Sequence, residues 1–155
     1  MSLNYRPGVV GVFKNKKNMV LVGERSDALG QWQFPQGGLQ EGEDDRDGIK
    51  REMKEEVGVS DFKIIIRSSS TTEYLFPQKL SYPEDKAPYD GQSHRWFLLE
   101  FNSTQEDFLP DTSNIDDEFV NFKWVSPQEA YDNIVSWKKE SYKKGLALLG
   151  FSVKD

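Results

Sequence analysis

The stretch from residue 37 to residue 59 reads GGLQEGEDDRDGIKREMKEEVGV and carries the strongest structural signals in the chain. Asp44 is a good helix N-cap, and Gly58 stands where a left-handed residue ends a helix. This spacing predicts a helix of about three turns from Asp45 to Val57. From Ile49 onwards every fourth residue is apolar, which predicts one narrow stripe packed against the rest of the protein.

Three glutamates of this helix, Glu52, Glu55 and Glu56, fall on one side of it. At about 100° per residue they share an arc of roughly 100°, so their negative charges repel one another. A run of charge usually marks only a solvated helix face, but a divalent ion among these carboxylates would reverse the repulsion. Mg²⁺ and Mn²⁺ prefer carboxylate oxygens and commonly hold substrate phosphates as well. The spacing therefore indicates metal-assisted phosphate chemistry.

The composition excludes several other classes of function. The chain has 155 residues, the size of one domain, and its 26 acidic and 20 basic side chains give a net charge of −6. Such a charge repels anionic polymers and argues against a protein that coats duplex DNA. Cysteine is absent and histidine occurs once, so a metal site must use oxygen ligands. With no apolar run of the roughly 18 residues that cross a bilayer and no signal-peptide core, we expect a cytoplasmic protein without membrane contact.

Short β-branched and aromatic runs elsewhere in the chain predict strands. We expect them at 9–13, 19–22, 62–67, 73–76, 95–101 and 119–125, with the first two joined as a hairpin. A capping box at 126–129 begins the first of two C-terminal helices. The second helix has Tyr142 on its apolar face, and lysines are concentrated in this region from Lys138 onwards. The aromatic residues expected in the core are Trp32, Phe34, Trp96, Phe97 and Trp124. His94 is expected at a strand edge. The order of helices and strands predicts the α/β class, with helices on the faces of a mixed sheet.

Nine residues of the 37–59 stretch fit one family pattern, G-x5-E-x7-R-E-U-x-E-E-x-G-U. They are Gly37, Glu43, Arg51, Glu52, Met53, Glu55, Glu56, Gly58 and Val59. This pattern is the Nudix box, and a chance match would occur on the order of once in a billion starting positions, so the chain is identified as a member of the Nudix hydrolase family. The resemblance implies a single Nudix domain over residues 1–155, folded as an α/β/α sandwich around a mixed sheet. It also implies hydrolysis of a nucleoside diphosphate linked to another group.

Further stretches resemble one subgroup of this family. They are Tyr5-Arg6-Pro7, Trp32 to Gly38, Gly91-Gln92, Arg95 to Leu99, Glu118-Phe119, Trp124-Val125 and Val135 to Lys138. The subgroup contains bacterial RNA 5′-pyrophosphohydrolases and bacterial and plant diadenosine tetraphosphate hydrolases. The expected substrate is therefore a nucleotide polyphosphate.

The resemblance also assigns residues to roles. The implied metal ligands are the side chains of Glu52, Glu55, Glu56 and Glu118 and the carbonyl group of Gly37, around two or three Mg²⁺ ions, with Mn²⁺ as the alternative. The same four glutamates are the catalytic candidates, with Glu52 as first choice for the general base and another of them, Glu118 included, as the alternative. Glu118 follows two aspartates, so a purely solvated acidic loop is an equal alternative for it. Glu43 and Arg51 are expected to hold the ligands in place.

Substrate contacts are expected from basic, amide and aromatic side chains. The candidates for phosphate are Arg6, Arg25, Gln36 and Lys79, and those for stacking on a nucleobase are Tyr74, Tyr82 and Tyr89, with core packing expected for at least one of these tyrosines. Two positions bear on the substrate: Ser26 stands where RNA-processing relatives have a second arginine after Arg25, and Ser93 stands where bacterial members commonly have lysine and plant dinucleotide hydrolases a small residue. Fewer cations favour dinucleoside polyphosphates such as diadenosine tetraphosphate, cleaved to ATP and AMP, with a 5′-triphosphate RNA end as the alternative. The complete carboxylate set argues against a nucleotide-binding module without turnover.

Overall fold

The computed structural model describes residues 3–77, 89–102, 108–110 and 118–155. The elements in chain order are β1 (Tyr5–Phe13), β2 (Val20–Arg25), β3 (Trp32–Gln33), β4 (Gln36–Gly38), α1 (Asp45–Glu56), β5 (Phe62–Leu75), β6 (Gly91–Phe101), β7 (Phe119–Val125), α2 (Pro127–Asn133), a short 3₁₀ helix (Ser136–Lys138) and α3 (Lys139–Leu148). Within these ranges no helix combines the length and the hydropathy needed to span a bilayer.

The strands form two sheets. The larger has the order β4-β1-β6-β5 and is mixed, as predicted, because β1 runs parallel to β6 while the other neighbours are antiparallel. The smaller is antiparallel with the order β3-β2-β7. The predicted hairpin of β1 and β2 is wrong, because the two strands belong to different sheets and meet at one isolated bridge between Lys14 and Val20.

Strands β5 and β6 are both longer than predicted. The runs at 62–67 and 73–76 form one strand, because irregular pairing with β6 after Ile64 and after Arg67 accommodates the serine-rich residues between them. Strand β6 begins at Gly91 and lies between β1 and β5. The prediction for His94 is therefore wrong: it lies in the interior of the sheet and is 1% exposed.

Side chains of the central strands alternate between two apolar layers. On β1, Val9 packs in the layer that contains the apolar stripe of α1, and Val10 packs in the layer that contains α3. Helices therefore cover both faces, and the predicted α/β/α arrangement around a mixed sheet is confirmed. Of the aromatic residues predicted in the core, Phe34, Trp96 and Phe97 are fully buried. The other two, Trp32 and Trp124, are partly buried and pack against the core.

Candidate functional site

Helix α1 carries most of the predicted site, and its boundaries follow from the local sequence. The carboxylate of Asp44 accepts a backbone N–H of the first turn at 2.7 Å. Beyond the other end, Gly58 has a φ of 77°, the left-handed geometry that terminates a helix. Ile49 and Met53 are fully buried, which fixes the rotation of α1 about its axis and the direction in which its glutamates point.

Gly37 on β4 lies directly against the carboxylate of Glu52. A Cβ atom at Gly37 would lie 2.0 Å from Cδ and Oε2 of Glu52, far inside van der Waals contact. The backbone of Gly37 is held in place because it pairs with Val9 of β1. The glycine that opens the box is therefore required by space, since it allows the carboxylate to approach the backbone of β4.

Arg51 links the turn before α1 to the glutamates. Its Nε and Nη2 donate to the two carboxylate oxygens of Glu43 at 2.8 and 2.9 Å. Its Nη1 donates to Glu52 Oε1 at 2.8 Å and to Glu55 Oε2 at 3.2 Å, and Nη2 donates to the carbonyl oxygen of Gly38 at 2.9 Å. The hydrogen bonds to Glu43 hold the pKa of Arg51 above its usual value. These are the contacts expected of a residue that fixes the positions of neighbouring carboxylates.

Glu118 joins the glutamates of α1 from a different part of the chain. Glu56, which is 4% exposed, accepts the backbone N–H of Gln36 on its Oε2 at 2.9 Å. Glu118 lies just before β7, and its carboxyl group forms a hydrogen bond with that of Glu56 and lies close enough to act on the charge of Glu52. The carbonyl oxygen of Glu118 accepts the backbone N–H of Ser26 at 2.9 Å, which ties this residue to the loop after β2.

Burial changes the protonation of two of these carboxyl groups. Burial raises the pKa of Glu52 to about 7, Arg51 opposes the rise, and the charges of Glu55 and Glu118 add to it. Burial likewise raises the pKa of Glu56 well above its usual value, and the charges of Glu118 and Glu52 raise it further. A cation bound among these oxygens would lower both pKa values, because it would favour the ionised carboxylates.

The donor atoms of this cluster fit a hard divalent cation. Carboxylate and carbonyl oxygens are the ligands that Mg²⁺ and Mn²⁺ prefer, and the contact of Glu52 with Gly37 brings a carboxylate against a bare stretch of backbone. Gln36 Oε1 is buried and has no hydrogen-bond partner among the described residues. As the side chains lie, no three acidic or imidazole groups of the described residues converge as metal ligands. In this geometry the cation that Glu52 and Glu55 contact is Arg51.

The candidate phosphate contacts lie in different environments. The guanidinium group of Arg6 covers Gly38, where a Cβ atom would lie 2.4 Å from Arg6 Cζ. Gly37 and Gly38 are successive residues of β4, so their Cβ directions point to opposite faces, and Arg6 contacts the face opposite the one that meets Glu52. Arg25 donates from Nε and Nη2 to the two carboxylate oxygens of Asp27 at 2.9 and 2.8 Å. These two donors are therefore already hydrogen-bonded within the protein. Tyr89 is half-buried at the start of the segment that leads into β6.

The structure corrects the prediction for Tyr74. This residue is 7% exposed, and its ring packs edge-on against His94 with the ring centres 5.6 Å apart. Lys138 Nζ lies 5.5 Å from the centre of the same ring. A ring covered in this way offers no face to a nucleobase, so Tyr74 has the packing role expected of at least one tyrosine. Lys79 and Tyr82 lie outside the described residues.

Two contacts of the site's supporting structure have no signal in the sequence. The periodicity of α3 predicts Tyr142 only as an apolar-face residue, yet its hydroxyl group accepts the backbone N–H of Phe34 at 3.0 Å. Lys138, which the sequence places in a basic region and in the stretch from Val135 that resembles the subgroup, is buried and donates from Nζ to Gln33 Oε1 at 3.3 Å. The partners are 108 and 105 residues apart, so no local pattern connects them. The one general hint is that a buried tyrosine hydroxyl usually has a hydrogen-bond partner.

Known proteins resemble this chain over almost its whole length. It is 37% identical over 143 residues to an RNA pyrophosphohydrolase of Rickettsia bellii (strain OSU 85-389), covering 92% of this chain and 88% of that protein. It is 30% identical over 156 residues to Nudix hydrolase 25 of Arabidopsis thaliana, covering 97% and 89%. Among solved structures, an Ap4A hydrolase binary complex from C. elegans has the same fold, with a TM-score of 0.62 at 21% identity over 96% of this chain and 100% of that chain. The sequence model of the NUDIX domain matches residues 4–145, and this chain therefore belongs to the Nudix hydrolase family.

Proposed function

We propose that this chain is a Mg²⁺-dependent hydrolase that cleaves dinucleoside polyphosphates by attack of water on phosphorus. For diadenosine tetraphosphate the products would be ATP and AMP. The observation that carries the proposal is the group of carboxylates beside Gly37. Glu52 and Glu56 are buried, the charge of Glu118 acts on both, and Arg51 contacts Glu52. Membership of the family supports the proposal, because Nudix hydrolases use divalent cations and act on nucleotide polyphosphates.

The ligands for the ions would be the side chains of Glu52, Glu55, Glu56 and Glu118 and the carbonyl oxygen of Gly37. Bound there, two or three Mg²⁺ ions, or Mn²⁺ in their place, would neutralise the polyphosphate and lower the pKa of a water molecule. Glu52 is the first candidate to accept the proton of the attacking water, because it is anchored both by α1 and by contact with β4. Glu118 is the second candidate, since it approaches from a separate element.

The choice of a dinucleoside polyphosphate rests on the cations around the cluster. Arg25 is engaged with Asp27, and at position 93 the hydroxyl group of Ser93 donates to Glu73 Oε2 at 2.7 Å. Arg25 is therefore paired within the protein, and position 93 carries no positive charge. A compact polyphosphate bridged by metal ions needs fewer protein cations than an RNA strand, which carries a phosphate at every nucleotide.

A second candidate function is removal of pyrophosphate from a 5′-triphosphate RNA end, which would leave a monophosphate end. The observation that favours it is the identity of 37% with a protein named RNA pyrophosphohydrolase. Both substrates present a polyphosphate attached to a nucleoside, so the same cluster would serve either reaction.

A substrate panel under one metal condition distinguishes the two. Diadenosine tetraphosphate, ATP and a 5′-triphosphate RNA are incubated with the protein and Mg²⁺, and the products are separated by anion-exchange chromatography. Formation of ATP and AMP as the fastest reaction supports the proposal, and faster release of pyrophosphate from RNA favours the second candidate. Hydrolysis that persists in excess EDTA would refute the metal dependence.

The role of Glu52 is tested by Glu52→Gln, which keeps the shape of the side chain and removes its basicity. We expect kcat to fall by about 10²- to 10⁴-fold, the usual contribution of a general base. Glu41→Gln is the matched control, because Glu41 belongs to the same acidic segment but is exposed, and it should behave as wild type. Full activity of Glu52→Gln would contradict the assignment and make Glu118 the residue to test.

A further inference from the structure

The chain crosses from one sheet to the other immediately before the site. Strand β3 ends at Gln33 in the smaller sheet and β4 begins at Gln36 in the larger one, so Phe34 and Pro35 form a crossover. The crossover is held by hydrogen bonds to other parts of the protein. The carbonyl oxygen of Pro35 accepts the backbone N–H of Gly11 at 2.9 Å, and the backbone N–H of Phe34 donates to the hydroxyl group of Tyr142 at 3.0 Å.

Tyr142 reaches the crossover from α3, on the face of the sheet opposite α1. It is 2% exposed, and its ring stacks on Phe34 with the ring centres 4.9 Å apart and meets Trp96 edge-on at 5.4 Å. Apolar packing accounts for the ring but not for the hydroxyl group. The hydroxyl group supplies the acceptor for a buried backbone N–H, and a buried N–H without a partner costs about 1–3 kcal/mol.

The far end of the crossover touches the carboxylates. The backbone N–H of Gln36, two residues after Phe34, donates to Glu56 Oε2 at 2.9 Å. The next residue, Gly37, lies against the carboxylate of Glu52. A shift of the crossover would therefore move a hydrogen-bond donor of Glu56 and the backbone surface that faces Glu52.

We infer that Tyr142 is a positioning residue for the hydrolysis reaction, because its hydroxyl group fixes the crossover that places Gln36 and Gly37 against Glu56 and Glu52. The inference rests on the proposed metal-dependent function. The contacts of Tyr142 described above are with Phe34 and Trp96, not with the carboxylates, so it acts through the backbone of residues 34–37. A tyrosine that contributed packing alone would be replaceable by phenylalanine without an effect on the metal site.

Tyr142→Phe tests this directly, since it keeps both ring contacts and removes the acceptor of the Phe34 N–H. Ser141→Ala is the matched control: Ser141 is the preceding residue of α3, is buried, and loses a hydroxyl hydrogen bond of 2.6 Å to Thr72, which does not reach the crossover. Three quantities are measured on the full chain: amide hydrogen exchange of Phe34, binding of Mn²⁺ without substrate by electron paramagnetic resonance, and kcat and KM on the best substrate of the panel.

We expect Tyr142→Phe to accelerate exchange at Phe34, to weaken Mn²⁺ binding by about tenfold, and to lower kcat with little change in KM. Tenfold is the lower end of the roughly 10–100-fold that residues supporting metal ligands contribute. Ser141→Ala should lose comparable thermal stability and leave Mn²⁺ binding unchanged. Wild-type Mn²⁺ binding by Tyr142→Phe, or an equal loss in Ser141→Ala, would overturn the inference while the proposed function stands. Absence of Mn²⁺ binding by the wild-type protein would refute the proposed function and the inference with it.

Discussion

Replacement of Gly37 by alanine should disable catalysis while leaving the protein folded. Gly37 does not have a positive φ, so the effect of a methyl group is steric and not a matter of backbone strain. Its Cβ would lie 2.0 Å from the carboxylate of Glu52, whereas ordinary contact begins at 3.4 Å, so this carboxylate must move by about 1.4 Å. A displacement of about 1 Å in an active site costs about 10²-fold in rate, and about 2.7 kcal/mol corresponds to this loss.

The assay is kcat/KM on the best substrate of the panel at saturating Mg²⁺, together with the midpoint of thermal unfolding. Gly150→Ala is the matched control, because Gly150 has a φ of 94° beyond the end of α3 and a Cβ there meets no atom within 4 Å. The control should lose about 1–3 kcal/mol of stability through backbone strain and keep its activity. Unchanged kcat/KM in Gly37→Ala would refute the steric link to Glu52, and an equal loss of activity in the control would show that destabilisation alone explains the effect.

Three further predictions concern residues around the site and in the core. Arg51→Lys keeps the charge but loses the planar set of donors that contacts three carboxylates, so kcat/KM should fall by about tenfold or more in steady-state assays. Arg67 donates to both carboxylate oxygens of Asp45 and holds the pKa of Asp45 below its usual value. The pair therefore stabilises the fold fully above the unfolded pKa of about 3.9, and this contribution is lost as the pH falls through the folded pKa. Asp45→Asn should therefore lower the free energy of unfolding by about 1 kcal/mol at pH 7, and its difference from wild type in urea titrations should close below about pH 3.9. Gly145→Ala should cost about 1–3 kcal/mol in the same titrations despite the better helix propensity of alanine, because its Cβ would lie 2.0 Å from the buried ring of Trp96.

The parts of the fold that the sequence predicts well are those with local causes. Helix α1 runs from Asp45 to Glu56, one residue short of the prediction, because a capping carboxylate and a left-handed glycine act within a few residues of its ends. The site glutamates follow from the same source, since the helical period alone places Glu52, Glu55 and Glu56 on one side of α1. Strand β7 begins and ends where the apolar pattern predicts.

The errors concern partners that are distant in sequence. Two apolar runs around a short polar turn are typical of a hairpin, and that pattern is the same whether the strands pair with each other or, like β1 and β2, with β6 and β7. Tyr74 and His94 have the same difficulty, because only the packing of β5 and β6 under the C-terminal helices determines that these rings are buried. The contact of Tyr142 with Phe34 spans 108 residues and is likewise a product of the assembled sheets.

The net charge of the whole chain argues against binding of a duplex, but the distribution of charge at the site does not argue against binding of a polyphosphate. Residues 41–56 contain eight acidic and four basic side chains and thus supply four of the six net negative charges. Within this segment Arg51 is bound to three carboxylates at once, and burial keeps the pKa of Glu52 and Glu56 high. A polyanion is repelled by such a surface until cations intervene, and each divalent ion that the cluster binds adds two positive charges at that point. A protein that coats a duplex needs cations along an extended surface, and the net charge of −6 argues against such a surface. A single polyphosphate bridged by metal ions interacts only with the local charge of the cluster and its ions, so the net charge of the chain does not argue against it.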